Sequence, residues 1–365
     1  MTLNSQNTAL ASTRLYEAET SLETLAVRYG LDPREMFDFS LNVNPFGPPQ
    51  AAVKAAAEAL GATNYYPDLN YSILRTAISD HFGIGGGQLF FGAGLDDVIK
   101  LILQAWTSEG DAVLVHLPTF PRYALEASLR GCRVVGIRSE PAGKTDLGRL
   151  DAEMKRQAIA LAFICTPNNP TGEIIPTEDI AALATANPDT LIVVDEALIN
   201  PANEGAIHLP ERLDNVVVLR TFSKFYGLAG LRIGYAVASP RLVDVANVGR
   251  PPFNVALPSL AAAAAALGDS AFVERCAAIF AEESAYFRSE IAKMDGLSLC
   301  GGHGNMQLVE LAAMSSASAA DKLARQGIVV ADATSFEGLE KSATLRISLR
   351  THAENVRLVA ALGTL

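Results

Sequence analysis

The strongest constraint on this chain is an alternation. Between about residues 90 and 240, short β-rich runs take turns with helical patterns. The runs cover 112–115, 134–137, 160–165, 191–194, 216–219 and 232–237, and helical periodicity covers 96–106 and 177–186. Such alternation predicts a parallel or mostly parallel α/β sheet. Residues 191–194 are apolar at every position and run into Asp195, as a strand covered on both faces requires. After Pro258 the pattern changes to a long helix over 270–293, strands over 306–311 and 345–349, and a last helix over 353–362. The expected organisation is therefore an arm over 1–48 that joins the small domain, a large α/β domain over 49–257, and a smaller α+β domain over 258–365.

Hydrophobic residues make up 49% of the 365 and charged residues 19%, so a full-sized core is within reach and general disorder is excluded. The formal net charge of −11 opposes binding to nucleic acid or to an anionic membrane surface. Cys132, Cys165, Cys276 and Cys300 are scattered, without a CxxC pair or zinc-ligand spacing. That usage points to a reducing compartment and to no metal site. No basic-then-apolar leader and no run of about 18 apolar residues occurs, so the expectation is a cytoplasmic protein. The alanine-rich stretch 261–266 reads as a helix ended by Gly268.

Four local features carry chemistry. The GIGGG stretch (83–87) fits neither the dinucleotide fingerprint nor a phosphate loop with its lysine, and is read as a loop. GAG (92–94) opens a helix whose free N–H groups and dipole make an anion site, unless Asp96 merely caps it. NNPTG (168–172) follows a strand and by itself reads as a tight turn. Asp195 ends an apolar strand, where open α/β sheets place their ligand crevice. Lys224 follows another strand in RTFSK (220–224), in an apolar neighbourhood that would lower the pKa of its amine, and Arg232 comes eight residues later.

In that order the four features are far more specific than singly. With DFSLNVNPFGPP (38–49), YYPDLNYSILRTAI (65–78), PTFPRY (118–123), LAGLRIGY (228–235) and LRISLRTHAEN (345–355), the chain resembles the fold-type I pyridoxal-phosphate aminotransferases of class I/II. The branch it resembles is that of histidinol-phosphate aminotransferase and threonine-phosphate decarboxylase. The resemblance implies a three-layer fold with a mostly parallel central sheet, and pyridoxal 5'-phosphate as cofactor. It implies Lys224 as the amine that bonds the cofactor aldehyde and moves the substrate proton, and Asp195 as partner of the ring nitrogen. Asn169 would donate to the ring oxygen and Phe120 would stack on the ring. The phosphate would sit at Gly94, on the backbone N–H groups of Leu95 and Asp96, with Ser223 and Arg232. Tyr66 would reach the phosphate of a neighbouring subunit, making the protein a homodimer. Arg346 would bind the substrate carboxylate, with Asn44 as a further substrate contact. Alternation along the strand puts 346, 348 and 350 on one face, so Arg350 would reach the same pocket only if the strand runs that far.

Three departures stand out, one at the cofactor and two at the substrate. Leu198 stands where the family usually has a tyrosine bonded to the ring oxygen. Ala331 stands where phosphate-substrate members have an arginine, and the His-Gly-Gly of the decarboxylase branch is missing. The leading expectation is an aminotransferase acting between an amino acid or amine and a 2-oxo acid. The alternatives are a decarboxylase on the same fold and a non-catalytic protein that binds the cofactor.

Overall fold

The computed structural model describes residues 21–139 and 144–365; the first twenty residues of the expected arm lie outside that range. In chain order the strands are β1 (Phe37–Asp38), β2 (Leu89–Gly92), β3 (Ala112–Leu117), β4 (Arg133–Arg138), β5 (Ile159–Cys165), β6 (Leu191–Asp195) and β7 (Val216–Thr221). They continue with β8 (Gly234–Val237), β9 (Leu297–His303), β10 (Met306–Leu311), β11 (Ile328–Val329), β12 (Ala331–Asp332) and β13 (Thr344–Ser348). One sheet has the order β2-β8-β7-β6-β5-β3-β4. Its strands from β3 to β7 pair in parallel, whereas β8 runs antiparallel to both β2 and β7.

The sheet is the middle of three layers because β6 is apolar on both faces. Ile192 and Val194 enter one core with Leu74, Ile78 and Leu260, while Leu191 and Val193 enter the other with Ile99, Ile102 and Leu242. That is period-two alternation in a strand with no solvent face. On one side lie the helices Gln50–Ala59, Ser72–Phe82 and Leu257–Leu267; on the other lie Leu95–Trp106, Arg122–Leu129 and Pro240–Gly249. The alanine-rich helix Leu257–Leu267, expected in the small domain, packs Leu260, Ala263 and Ala266 into the large core.

The second sheet has the order β12-β13-β10-β9, all antiparallel. Phe287 and Ile291 of helix Ser270–Ile291 and Leu358 of helix His352–Leu362 cover it at Leu345 and Ile347. Parallel pairing of β1 with β11 ties the N-terminal segment to this unit. Among the described residues, no helix is long and apolar enough to cross a membrane.

Candidate active site

The sheet topology gathers the singled-out residues at one edge. Asp195 ends β6 opposite Cys165 of β5 and Leu219 of β7. Asn169 therefore follows the end of β5 on one side of it, and Lys224 the end of β7 on the other. Strand β8 starts at this same edge because it is antiparallel, with Gly234 opposite both Thr221 and Gly92. Arg232, just before β8, is thereby brought beside Gly94, just after β2. Arg232 itself was expected inside a strand; it has φ 49°, a left-handed conformation that ends strand geometry before Gly234.

The helix Leu95–Trp106 has Gly94 as its N-cap, at φ 87° and without a side-chain cap bond. Asp96 is thus a first-turn residue, not the cap. A Cβ at Gly94 would run into the guanidinium of Arg232, whose Nη2 lies 3.6 Å from Asp96 Oδ2. Bare N–H groups, an arginine and no room for a side chain form a cradle suited to a phosphate. Buried Ser223 is held by its own N–H, which donates to Thr221 Oγ1 at 3.1 Å.

Asp195 is 2% exposed. Burial pushes its carboxyl up to about 6, against the pull of two donors. Tyr123 Oη donates to Oδ2 at 2.6 Å and the Ala197 N–H to Oδ1 at 2.8 Å. Tyr123 escaped sequence reasoning, although it stands three residues after Phe120, in the first turn of helix Arg122–Leu129. Its ring stacks on Phe163 at 4.5 Å and meets Phe120 edge-on at 5.6 Å. Next to Asp195, buried Glu196 accepts from Arg220 Nε at 3.0 Å and from Nη2 at 2.8 Å, a second pair the motifs did not reveal.

The Asn169 turn is fixed from below by Asn168, which accepts from Thr119 Oγ1 at 2.8 Å and donates to the Pro118 carbonyl at 2.9 Å. From above, Arg346 Nη1 donates to Asn169 Oδ1 at 3.1 Å and Nη2 to the Ser40 carbonyl at 2.6 Å. The Gly302 N–H donates to the Thr171 carbonyl at 2.9 Å. A cavity of about 300 Å³ opens beside Lys224, lined among others by Asn42, Asn44, Leu198, Phe280 and Asn305. Asn44 Nδ2 donates to the Phe225 carbonyl at 2.7 Å, which fixes the wall next to Lys224.

The family model for aminotransferases of class I and II matches residues 34–362, nearly the whole described chain. The chain belongs to the class I and II aminotransferases. Like its relatives it is an enzyme, a transaminase. It is 37% identical over 330 residues to the histidinol-phosphate aminotransferase of Jannaschia sp., covering 89% of this chain and 90% of that one. It is 33% identical over 357 residues to the histidinol-phosphate aminotransferase of Methanothermobacter thermautotrophicus, covering 96% and 94%. In structure it is similar to the histidinol-phosphate aminotransferase of Sinorhizobium meliloti in complex with pyridoxal-5'-phosphate. There the TM-score is 0.86 at 27% identity, over 99% of this chain and 97% of that one.

Two substrate features and one feature of the subunit face need the structure. Ala331 lies directly across the ladder from Arg346, so the position expected to hold an arginine is beside the residue expected to bind the substrate carboxylate. Arg350 was to reach the pocket if its strand ran that far, but β13 stops at Ser348. Its guanidinium instead donates to Glu354 Oε1 at 2.9 Å and to the Asp38 carbonyl at 3.2 Å. Tyr66 is 79% exposed and stacks on Phe253 at 4.5 Å, facing away from its own chain's core.

Proposed function

We propose that this aminotransferase holds pyridoxal 5'-phosphate at the edge where β2, β5, β6, β7 and β8 meet. The reaction is exchange of an amino group between an amino acid and a 2-oxo acid. The observation that carries this reading is the buried Asp195 set between the Asn169 turn and the Lys224 turn. The donor set fits the cofactor group by group: the Gly94 cradle with Ser223 and Arg232 for a phosphate, a carboxylate for a ring N–H, an amine for an aldehyde. When bound, the cofactor supplies an electron sink that weakens the bonds at the substrate Cα. Asp195, ionised and held by Tyr123 and Ala197, keeps a proton on the ring nitrogen. Lys224 Nζ carries the proton taken from Cα. Asn169 would donate to the ring oxygen without a tyrosine at position 198, Phe120 would cover the ring, and Arg346 would read the α-carboxylate. Tyr66 and its exposed neighbours Tyr65, Leu69 and Ile73 support a homodimer in which this face meets a second copy. The four cysteines are unbridged, in keeping with a reducing cytoplasm.

The substrate carries a carboxylate but is not a phosphate ester held in the usual manner of the branch. Ala331 removes one guanidinium from beside Arg346, and Arg350 is engaged with Glu354. Among the described residues lining the cavity, Lys224 is the only lysine or arginine. One charged hydrogen bond fewer weakens a phosphate by roughly 1.5–3 kcal/mol, about ten- to a hundredfold. The test is a spectral screen of the holoenzyme with amino acids, histidinol phosphate and threonine phosphate, with carbon dioxide release followed in parallel. Unphosphorylated amino acids should convert the cofactor to its amine form without gas release. In Lys224→Ala that conversion should vanish while the cofactor stays bound as the unlinked aldehyde. Preference for a phosphate ester overturns the substrate reading, carbon dioxide release overturns transamination, and normal turnover by the alanine variant overturns the role of Lys224.

A further inference from the structure

We propose that one buried water molecule is bound behind Asp195, bridging Arg220 and Tyr226 and fastening the Lys224 turn to the Glu196–Arg220 ion pair. A small cavity of about 20 Å³ lies there, lined by Glu196, Ala197, Arg220, Tyr226 and Tyr235 among others. A water needs about 10–15 Å³ of such space and two to four polar partners. Two are present: Arg220 Nη1 and Tyr226 Oη are both buried, and neither has a hydrogen-bond partner in the protein. The other guanidinium nitrogens of Arg220 are taken up by Glu196 and by the carbonyls of Asn203 and Glu204.

The lining selects the occupant. Arg220 excludes a cation, Glu196 excludes an anion, and two unsatisfied polar atoms make an apolar guest unfavourable. A neutral molecule of one heavy atom that accepts from Nη1 and shares a bond with the phenol remains. Burial pushes the Tyr226 hydroxyl up, so it keeps its proton and serves as either donor or acceptor. Tyr226 stands two residues after Lys224 in the turn closed by the Gly227 N–H on the Lys224 carbonyl, 3.0 Å away. The water therefore holds the far side of the turn that presents the amine.

A crystal structure of the holoenzyme fine enough to order buried water tests the site directly. One peak within hydrogen-bond distance of Arg220 Nη1 and Tyr226 Oη is expected. A dry cavity, or Arg220 Nη1 bonded straight to Tyr226 or Tyr235, overturns the proposal. Tyr226→Phe tests the fastening with the ring retained. Its cofactor-free and holo forms should both melt lower, and the Gly227 amide should exchange with solvent at least tenfold faster. Unchanged exchange in a folded variant refutes the link to the Lys224 turn, whatever its activity.

Discussion

At the scale of single residues, the chemistry concentrates on the Asp195 carboxyl. Burial raises its proton affinity to about 6 from 3.8, so the folded cofactor-free chain binds that proton more tightly than the unfolded chain. Stability from this group is therefore fully present below about pH 4 and is lost as pH rises through about 6. Cofactor-free Asp195→Asn has no such loss. It should be more stable than the parent near pH 8, by up to about 3 kcal/mol, and the gap should close below pH 4. Thermal melts across pH check this; a gap constant with pH argues that Asp195 does not titrate in the fold. In the holoenzyme the same change should cost turnover far more than cofactor affinity, because an amide cannot keep the ring nitrogen charged. Tyr123→Phe removes the 2.6 Å bond to the carboxylate and keeps the stack on Phe163. Loss of a bond to a charged group predicts a fall in kcat of roughly ten- to a hundredfold. The pH at which bound-cofactor absorbance changes should move as well, and an unmoved titration would assign Tyr123 to packing alone.

At the scale of elements, the helix that opens at Gly94 matters most. Its N-cap is fixed by a positive φ and by Arg232 occupying the space of a side chain. Gly94→Ala should fold, because the strain is local, but should lose cofactor affinity by about tenfold or more; equilibrium dialysis measures it. Retained affinity would place the phosphate elsewhere. Most such elements were legible in the chain itself. Strands β5 to β7 announce themselves by unbroken apolar runs, and the helix Thr177–Ala186 has the bounds its periodicity predicts. Strand β2 was not legible, since four residues beside a glycine-rich stretch carry too little pattern. Neither was the helix Leu22–Tyr29, two turns long within a polar segment. Within the site, motif order pointed to Lys224, Asp195 and Arg232, but Tyr123 and the Glu196–Arg220 pair depend on contacts between elements far apart in sequence. Local periodicity holds no record of those contacts.

At the scale of the whole molecule, the small unit forms one wall of the site instead of an appendage. Gly301 lies so close to the Thr171 carbonyl that it has no room for a Cβ, and a Cβ at Gly172 would run into the backbone of Gly302. The exposed aromatic and aliphatic side chains around Tyr66 remain to be covered, and sedimentation should report a dimer at micromolar concentration. Tyr66→Ala should weaken cofactor binding in that dimer, and a fully active monomer would refute the shared site. The reversal of β8 has a consequence of its own. Because that strand runs backwards, the single connection from Thr221 to Gly234 carries both the amine and the arginine. Its middle is wedged at Gly227 against the Gly47 carbonyl, so it has no slack to take up. With the cofactor held as proposed, the connection would act as a ruler: the distance between the aldehyde end and the phosphate end of one small molecule would become a fixed length of backbone. An insertion or deletion there would misplace both ends together.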